Sequence, residues 1–519
     1  MLSKPVDVIV NFSCCGEDMI LDNKQAMVNS EERIIDMKKW REVMDAGMNI
    51  EYRCVKCRSC SDCRNADETE RVSLRQEAED QMIKDSIHID YKKKQIMATL
   101  PLWGKEEDFL TSNRKRALCV LNQNCRKFSG KEEAKKLIKK AFQKLFDKGY
   151  MVLVKDLTAD LRAKFENKPV QYWIPWRVVY NPKSLSTPVR PVMDASSRTE
   201  TRPNGTGGRC LNDLTCKGKI ETLNLLRMVL RFAIGRFAVS GDLSQFYNCF
   251  RLREDFWNLQ RFLYRENLEL DDEILEGVIV TLMYGVKCVS AQSKCAMVRI
   301  AKEIQEKMPA LAEVLLKGRY VDDLADSKAT RQEVLEIVKA GNEVFGEVGL
   351  KCKGWTVTGE DPLEEVAGDE EFLGVAGQKW FPKIDVTMVN IPPLHFGKIR
   401  RGRLDEKVVP FSGDFAALEK YVPEKLSLRQ VTSKTASVFD LRGSLAPITG
   451  HMRLDIRRIV KATSGWDDPM PPELRHRWVG HFWKLEQLRG LGFHRPRMPE
   501  GALNTNARVF IRLMQPMRC

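Results

Sequence analysis

The sequence lacks any apolar run that approaches the roughly 20 residues needed for a membrane-spanning helix. It also lacks the pattern of a secretory leader, because residues 1–5 are followed by a short apolar stretch and then by acidic residues. We therefore expect a cytoplasmic protein without a membrane segment. In that reducing compartment its 15 cysteines are expected to be thiols or metal ligands and not a disulfide framework.

Acidic residues are in deficit, with 71 Asp and Glu against 85 Lys and Arg, a formal net charge of +14. Most of the excess lies in residues 391–519, where 23 basic residues face 12 acidic ones. A basic surface of this kind suits contact with a phosphate backbone, and its alternative is a surface that only keeps the protein in solution. The chain, at 519 residues, is long enough for two to four domains.

Two adjacent carboxylates, Asp322 and Asp323, are the most informative feature that is present. They follow an aromatic and a β-branched residue in the segment 318–324 (GRYVDDL). This pattern predicts two short strands joined by a tight turn at the acids, because Asp tolerates turn geometry better than strand-forming residues do. Such a pair can bind divalent cations, and two metals about 3.5–4 Å apart are the usual device for phosphoryl transfer. A solvated acidic turn is the simpler alternative.

A second acid follows another apolar run. The segment 237–242 (FAVSGD) ends in Asp242, which lies 80 residues before Asp322 (322 − 242). A carboxylate at a strand end could share metal ions with the hairpin. Tyr247 follows in the segment 243–248 (LSQFYN). An aromatic side chain there could stack under the sugar of an incoming nucleotide and exclude a 2′-hydroxyl, which favours dNTPs over NTPs. A core position is the alternative for Tyr247.

Further motifs follow in a fixed order along the chain. Together with the two acidic motifs, this ordered set resembles the reverse transcriptases of LTR retrotransposons, and more narrowly those of the BEL/Pao group, over roughly residues 50–490. The resemblance implies an α/β (α+β) right-hand polymerase fold with fingers, palm and thumb, plus a small Cys-containing N-terminal region. The motifs are 54–57 (CVKC), 173–177 (WIPWR), 186–196 (STPVRPVMDAS), 211–214 (LNDL), 283–286 (MYGV), 291–293 (AQS), 372–375 (FLGV), 445–448 (LAPI) and 466–469 (WDDP).

The resemblance also implies a division of the chain into four regions. Residues 1–70 would be the Cys-rich region, 71–170 a hairpin and helical lead-in, 171–384 fingers and palm, and 385–519 a basic thumb or connection region. Local patterns predict a hairpin over 86–101 and amphipathic helices near 130–148, 291–308 and 331–347. Ser129 and Glu132 are expected to form a capping box for the first of these helices.

The implied reaction is template-directed DNA synthesis, in which a primer 3′-hydroxyl attacks the α-phosphate of a dNTP. The resemblance makes Asp242, Asp322 and Asp323 the catalytic residues and the ligands of two Mg²⁺ ions. Tyr284 and Gly285 depart from the Gln-Gly pair of many reverse transcriptases. The implied dNTP-binding residues are Lys183, Arg190, Phe246, Tyr247, Tyr284 and Gly285.

Other groups could assist the same reaction. Backbone N–H groups in 243–246 could cradle phosphate, and Lys351 or Lys353 could protonate pyrophosphate. The four cysteines of the N-terminal region, spaced by two residues each, could hold Zn²⁺ or, less readily, an iron–sulfur cluster. Because this strict spacing is awkward for one tetrahedral site, unligated thiols are the alternative. The cysteines are Cys54, Cys57, Cys60 and Cys63.

The expected partners are an RNA template, a DNA or tRNA-type primer and dNTPs, together with other domains of a Pol polyprotein, in the cytoplasm or in virus-like particles. The DNA product would be destined for the nucleus in transposition. The sequence holds no Asp-Thr-Gly or Asp-Ser-Gly of a retroviral-type protease, and we could not assemble the four carboxylates of RNase H or the motifs of an integrase. The alternatives are a catalytically inactive or domesticated retroelement-derived nucleic-acid-binding protein and an RNA-templated RNA polymerase, against which Tyr247 argues.

Overall fold

A computed structural model describes residues 7–12, 74–180, 188–203, 205, 207–218, 225–362, 370–396, 413–496 and 508–513. Among these residues, no helix has both the length and the apolar character that crossing a bilayer requires. The helices are α1 (Leu74–Asp85), α2 (Glu106–Phe109), α3 (Arg114–Phe128), α4 (Glu132–Asp147), α5 (Ala159–Glu166), α6 (Leu211–Leu214), α7 (Leu225–Ile234), α8 (Val289–Ile304), α9 (Pro309–Lys317), α10 (Arg331–Glu347), α11 (Phe415–Tyr421), α12 (Leu428–Ser437), α13 (Ala446–Ala462) and α14 (Pro472–Gln487).

The strands form several small sheets, so that the fold is a mixed α/β structure. Short 3-10 helices occupy Val154–Asp156, Phe246–Cys249 and Glu254–Leu259. The strands are β1 (Asp7–Phe12), β2 (Ile87–Asp90), β3 (Gln95–Ala98), β4 (Met151–Leu153), β5 (Trp176–Tyr180), β6 (Val189–Met193), β7 (Phe237–Leu243), β8 (Phe250–Leu252), β9 (Arg261–Tyr264), β10 (Leu275–Ile279), β11 (Arg319–Tyr320), β12 (Asp323–Lys328), β13 (Cys352–Val357), β14 (Leu373–Val375), β15 (Gln378–Phe381), β16 (Val386–Val389), β17 (Gly492–His494) and β18 (Arg508–Leu513).

The sheet that positions the acidic motifs has four antiparallel strands in the order β11-β12-β7-β13. Successive side chains of a strand point to opposite faces, so each strand contributes to two cores. On one face Val239 and Leu324 join the large core that includes Ile337 of α10. On the other face Ala238 and Ala325 join a smaller core with residues of α7 and β15. The sheet is therefore covered on both faces.

Several predicted elements are confirmed. Strands β2 and β3 pair antiparallel as the hairpin expected over 86–101. Helices α4, α8 and α10 occupy the three predicted amphipathic segments, although α8 ends at Ile304 and a separate helix α9 begins at Pro309. Pro309 at the start of α9 explains the break, because proline cannot continue a helix but fits its first turn.

The predicted capping box of α4 is wrong. Ser129 is the C-cap of the preceding helix α3, and Gly130 with φ of +69° turns the chain toward α4. Lys131 is the N-cap residue of α4 and makes no side-chain capping bond. The Ser-x-x-Glu pattern failed because two helices meet within four residues, so that one residue that could begin a helix instead ends one.

The C-terminal part is mainly helical. Helices α11 to α14 surround a second core that includes Val431, Met452 and Trp478. After α14, strand β17 returns to pair with β16 and completes a four-stranded sheet of order β14-β15-β16-β17. Arg495 follows β17 and is fully buried, and its guanidinium donates to the carbonyl oxygen of Gly235 at 2.8 Å, just after α7. The C-terminal part is thus joined to the element that covers the central sheet.

Candidate active site

The acidic hairpin consists of β11 and β12, with Tyr320 opposite Asp323 and a turn at Val321 and Asp322. The predicted strand–turn–strand arrangement is confirmed. The turn differs from the expectation in one respect. Its left-handed residue is Val321, with φ of +59°, and not one of the two acids. For a β-branched residue this is a strained conformation that costs on the order of 1–3 kcal/mol. Surrounding contacts must therefore hold the hairpin tip in place.

Asp242 lies beside the hairpin because β7 pairs with β12. In the antiparallel register Asp242 is directly opposite Asp323. The backbone N–H of Leu243 donates to the carbonyl oxygen of Asp322 at 2.9 Å, which fastens the hairpin tip to the end of β7. The structure thus brings together the three carboxylates that the sequence predicted as one set, across a sequence separation of 80 residues.

All three carboxyl groups have raised pKa values, and neighbouring carboxylates contribute to the rise at Asp242 and Asp323. Burial, followed by the charges of Asp322 and Asp242, raises the pKa of Asp323 to about 7. Burial and the charge of Asp322 also raise the pKa of Asp242, although the Lys353 ammonium opposes this. Burial raises the pKa of Asp322. None of the three forms an ion pair with a residue in the described ranges. Cations brought to this site would therefore relieve an existing repulsion.

A cleft of about 300 Å³ opens on the sheet face that carries Asp242 and Asp323. Its far wall is formed by β14 and the residues before it, including Glu370 and Phe372. Glu370 is a lining residue for which the sequence predicted no role. The sequence offered one indication of such a role, because Glu370 lies two residues before the FLGV motif. Residues of that motif line the same cleft as Asp242 and Asp323. The cleft therefore has acidic groups on two sides.

Oxygen donors of this kind match Mg²⁺, which is commonly bound by one or two carboxylates together with waters and substrate phosphates. Within the part of the chain that the structure describes, no three His, Cys, Asp or Glu side chains are grouped so as to hold a metal ion by themselves. Asp242, Asp322 and Asp323 supply oxygen donors and in that respect fit Mg²⁺, whereas the arrangement of a metal site by these three residues stays a prediction.

Tyr247 is buried next to the acids, immediately after β7. Its hydroxyl lies 3.0 Å from Oγ of Ser290, and its ring meets the ring of Tyr284 edge to face at a centroid distance of 4.6 Å. Tyr284 itself is 52% exposed. Desolvation, then Asp322, raises the pKa of Tyr284 to about 12, while the charge of Arg190 opposes the rise. Tyr284 thus lies within electrostatic range of Tyr247, of Arg190 and of the acidic hairpin.

Phe246 is placed differently from its predicted role. Its side chain is only 1% exposed and packs edge to face on Phe250 at a centroid distance of 5.4 Å. Phe246 could therefore contact a nucleotide only through its backbone. Two of the backbone N–H groups in 243–246 that were predicted to bind phosphate are already used, because those of Leu243 and Ser244 donate to the carbonyl oxygens of Asp322 and Lys351.

Gly285 is required by the fold. It has φ of +107°, and a Cβ atom at this position would lie 2.2 Å from the carbonyl oxygen of Met193 in β6. The Asn212 amide donates to the Gly285 carbonyl oxygen at 2.9 Å, and its own oxygen accepts from the N–H of Lys287 at 2.9 Å. Asn212, from the LNDL motif, thereby fixes the turn that presents Tyr284. No role for this side chain was predicted from the motif.

The remaining predicted residues are distributed as follows. Lys353 lies at an irregularity in β13 and is close enough for its charge to lower the pKa of Asp242. Lys183 lies outside the described residues. The same is true of the proposed zinc ligands, so zinc binding stays a prediction. Those ligands are Cys54, Cys57, Cys60 and Cys63.

A family model described as the Pao retrotransposon-like RNaseH-like domain matches residues 427–509. Two solved foamy virus structures are similar to the chain. The protease–reverse transcriptase in complex with double-stranded DNA has 12% identity and a TM-score of 0.39, over 66% of this chain and 46% of that one. The complex with RNA/DNA hybrid has 13% identity and a TM-score of 0.39, over 68% and 37%. The chain thus spans less than half the length of either relative. No curated protein matches the chain significantly.

The family match supports a piece of a retroelement Pol protein, which is the coarser part of the sequence prediction. It covers 83 residues (509 − 427 + 1) and leaves the acidic hairpin outside. Within it, the described residues form α12, α13, α14 and the short strand β17. Asp455, its most buried acid, binds His481 and Arg458. The acids that are grouped without ion pairs therefore lie in the central sheet and not in the matched segment.

Proposed function

We propose that this protein is an RNA-directed DNA polymerase of a BEL/Pao-like retroelement. The observation that supports this most is the register of β7 and β12, which sets Asp242 beside Asp323 with Asp322 at the adjoining turn. Three half-buried carboxylates without ion pairs to described residues offer oxygen donors for the metal ions that two-metal phosphoryl transfer uses. The retroelement origin of the C-terminal segment gives this chemistry a matching context.

In this proposal Asp242, Asp322 and Asp323 hold two Mg²⁺ ions. When bound there, the ions supply the positive charge that the attacking primer hydroxyl and the triphosphate need. The protein contributes mainly positioning and a fixed electrostatic environment. Lys353, beside Asp242, is the better placed of the two lysines proposed to protonate pyrophosphate, because its charge already acts on that carboxylate.

Selection of the nucleotide is assigned to the pair of tyrosines. Tyr247 would exclude a 2′-hydroxyl; its ring packs against Tyr284, and its hydroxyl lies 3.0 Å from Oγ of Ser290. Arg190 lies on the exposed side of β6, where a guanidinium can contact both a base and a phosphate. Lys183 is proposed to reach the γ-phosphate, as the resemblance implies.

The proposed partners are an RNA template, a DNA or tRNA-type primer and dNTPs. Basic charge supports nucleic-acid binding by the C-terminal part, where residues 391–519 carry a net charge of +11 (23 − 12). On α13, Arg453, Arg457 and Lys461 are exposed side chains of the same sign. Cations arranged along one helix suit a phosphate backbone, whose binding releases counterions.

The test is primer extension on an RNA template with Mg²⁺, in which dNTPs are compared with rNTPs. Extension is expected with dNTPs, and Asp322→Asn should reduce it by about 10²-fold or more while template–primer binding persists. Asp361→Asn is the matched control, because Asp361 is an exposed acid that pairs with Lys383. Failure of the wild-type protein to extend a bound primer would overturn the proposal in favour of an inactive nucleic-acid-binding protein.

A further inference from the structure

Arg319 belongs to the 318–324 segment, but neither the sequence analysis nor the proposed mechanism gives it a role. It lies in β11, three residues before Asp322, and is only 3% exposed. Its guanidinium Nη1 donates to the carbonyl oxygen of Val321 at 2.9 Å, and its Nε donates to the carbonyl oxygen of Leu315 at 3.4 Å. Arg319 therefore links the end of helix α9 to the tip of the acidic hairpin from inside the protein.

Burial of this guanidinium is unfavourable without a carboxylate to pair with it. Arg319 forms no ion pair with the residues that the structure describes, and burial lowers its pKa to about 10. Tyr247 and then Asp322 oppose this fall in the pKa, and Asp322 is the one carboxylate of the two. Three other buried arginines, Arg231, Arg261 and Arg495, have direct acidic partners, such as Arg231 with Asp326 at 2.9 Å. The contacts of Arg319 thus point to the hairpin.

The hydrogen bond from Arg319 is made to Val321, which is the turn residue with a strained backbone conformation. Val321 is β-branched and has φ of +59°, a conformation that it keeps only where its surroundings impose it. The Arg319 bond to its carbonyl oxygen is one constraint, and the Leu243 bond to the Asp322 carbonyl oxygen is the other. These two contacts hold the peptide groups on either side of the Asp322 Cα atom. They therefore fix the position of that atom and the direction in which the Asp322 side chain leaves the backbone.

We propose that Arg319 is a positioning residue, which holds the Val321 carbonyl group and thereby directs the Asp322 carboxylate toward a divalent cation. The inference rests on the proposed function for the role of Asp322. A purely structural role, in which Arg319 only caps helix α9 through Leu315, is the alternative. The two roles differ in what they predict for metal binding at equal stability.

The experiment measures Mn²⁺ binding to the whole protein by electron paramagnetic resonance, with the metal ion alone as the probe. Arg319→Met should weaken Mn²⁺ binding by about 10- to 100-fold, as loss of a partner that orients a metal ligand does. Adding Val321→Gly should restore most of the affinity, because glycine adopts the left-handed turn without support. Arg319→Lys, which keeps the charge but loses the planar fork, should be intermediate.

Arg495→Met is the matched control, since Arg495 is also fully buried and also donates to main-chain carbonyl oxygens, those of Phe232 and Gly235. It should lower the thermal unfolding midpoint without weakening Mn²⁺ binding. Wild-type Mn²⁺ affinity in Arg319→Met would overturn the inference. So would a loss that Val321→Gly does not restore, or a wild-type protein that binds no Mn²⁺.

Primer extension is measured on the same proteins to separate this inference from the proposed function. Weakened Mn²⁺ binding in Arg319→Met, with no extension by the wild-type protein, would uphold the role of Arg319 and overturn the polymerase. If the wild-type protein extends the primer, and Arg319→Met does so with the same dependence on Mg²⁺ concentration, the polymerase is upheld and the role of Arg319 is overturned. If both hold, Arg319→Met should need a higher Mg²⁺ concentration for half-maximal extension.

Discussion

Replacement of Asp323 by Asn should stabilise the metal-free protein at alkaline pH while it removes DNA synthesis. The pKa of Asp323 is raised from its ordinary value of 3.8 to about 7 by burial and by the neighbouring carboxylates. Asp323 therefore binds its proton more tightly in the folded protein than in the unfolded chain. Its ionisation opposes folding, so the stability present below pH 3.8 is lost as the pH rises through about 7.

The magnitude follows from the two pKa values. The difference between about 7 and 3.8, at about 1.36 kcal/mol for each pKa unit, gives about 4 kcal/mol as an upper bound. Partial exposure and relaxation of the hairpin reduce this, so we expect a gain of about 1–2 kcal/mol for Asp323→Asn near pH 8. The gain should shrink as the pH falls toward 4, because both states then carry a protonated carboxyl group.

The measurement is urea unfolding without divalent cations at about pH 8 and about pH 5, chosen on either side of the raised pKa. Asp326→Asn is the control on the same strand. Asp326 is buried and binds Arg231 at 2.9 Å, so its neutralisation should destabilise the protein by about 3–5 kcal/mol. Opposite signs for the two substitutions are the expected result. An Asp323→Asn protein that is less stable than the wild type at pH 8 would refute the reasoning.

Three further predictions concern the nucleotide side of the site. Gly285→Ala should lower the free energy of unfolding by more than about 1 kcal/mol, measured with denaturant, because its φ is +107° and its Cβ would meet the Met193 carbonyl oxygen. Tyr247→Ala should admit rNTPs in a competition assay, whereas Tyr247→Phe keeps the ring and should keep the preference for dNTPs; unchanged selectivity in the alanine variant would exclude the gate. Template–primer binding should weaken with log[salt] in a straight line, and salt-independent binding would argue against phosphate contacts.

Local elements of the fold could be predicted from the sequence because their signals are local. Alternation predicted the β2–β3 hairpin, and an apolar stripe predicted α4 and α10. The acidic hairpin was predicted for the same reason. The proximity of Asp242 to Asp323 has no such local signal, because it depends on the register of β7 and β12. No local pattern fixes that register, and only the order of motifs suggested it.

The details of the site depend on contacts that no local signal reports. The tight turn was assigned to the acids on intrinsic preference, yet the left-handed residue in it is Val321, whose carbonyl oxygen accepts from Arg319 and whose neighbour Asp322 is bonded to the β7 backbone. Asn212 and Ser290 act through partners 73 and 43 residues away in the chain. Phe246 and Tyr247 are adjacent aromatics with similar sequence signals, and both are buried in the same core, but the pKa of Tyr247 is raised by burial and by the charge of Asp322.

The distribution of paired and unpaired acids bears on whether this chain is active. Away from the hairpin, buried acids have cationic partners: Asp326 binds Arg231, and Asp455 is held by His481 at 2.7 Å. At the hairpin, repulsion among three carboxylates, a strained Val321 and a buried guanidinium all oppose stability within a few residues. A fold that only had to bind nucleic acid would gain stability from the loss of any of these features. Their coexistence is therefore the physical argument for catalysis over an inactive scaffold, and the pH-dependent gain expected for Asp323→Asn measures how large that destabilisation is.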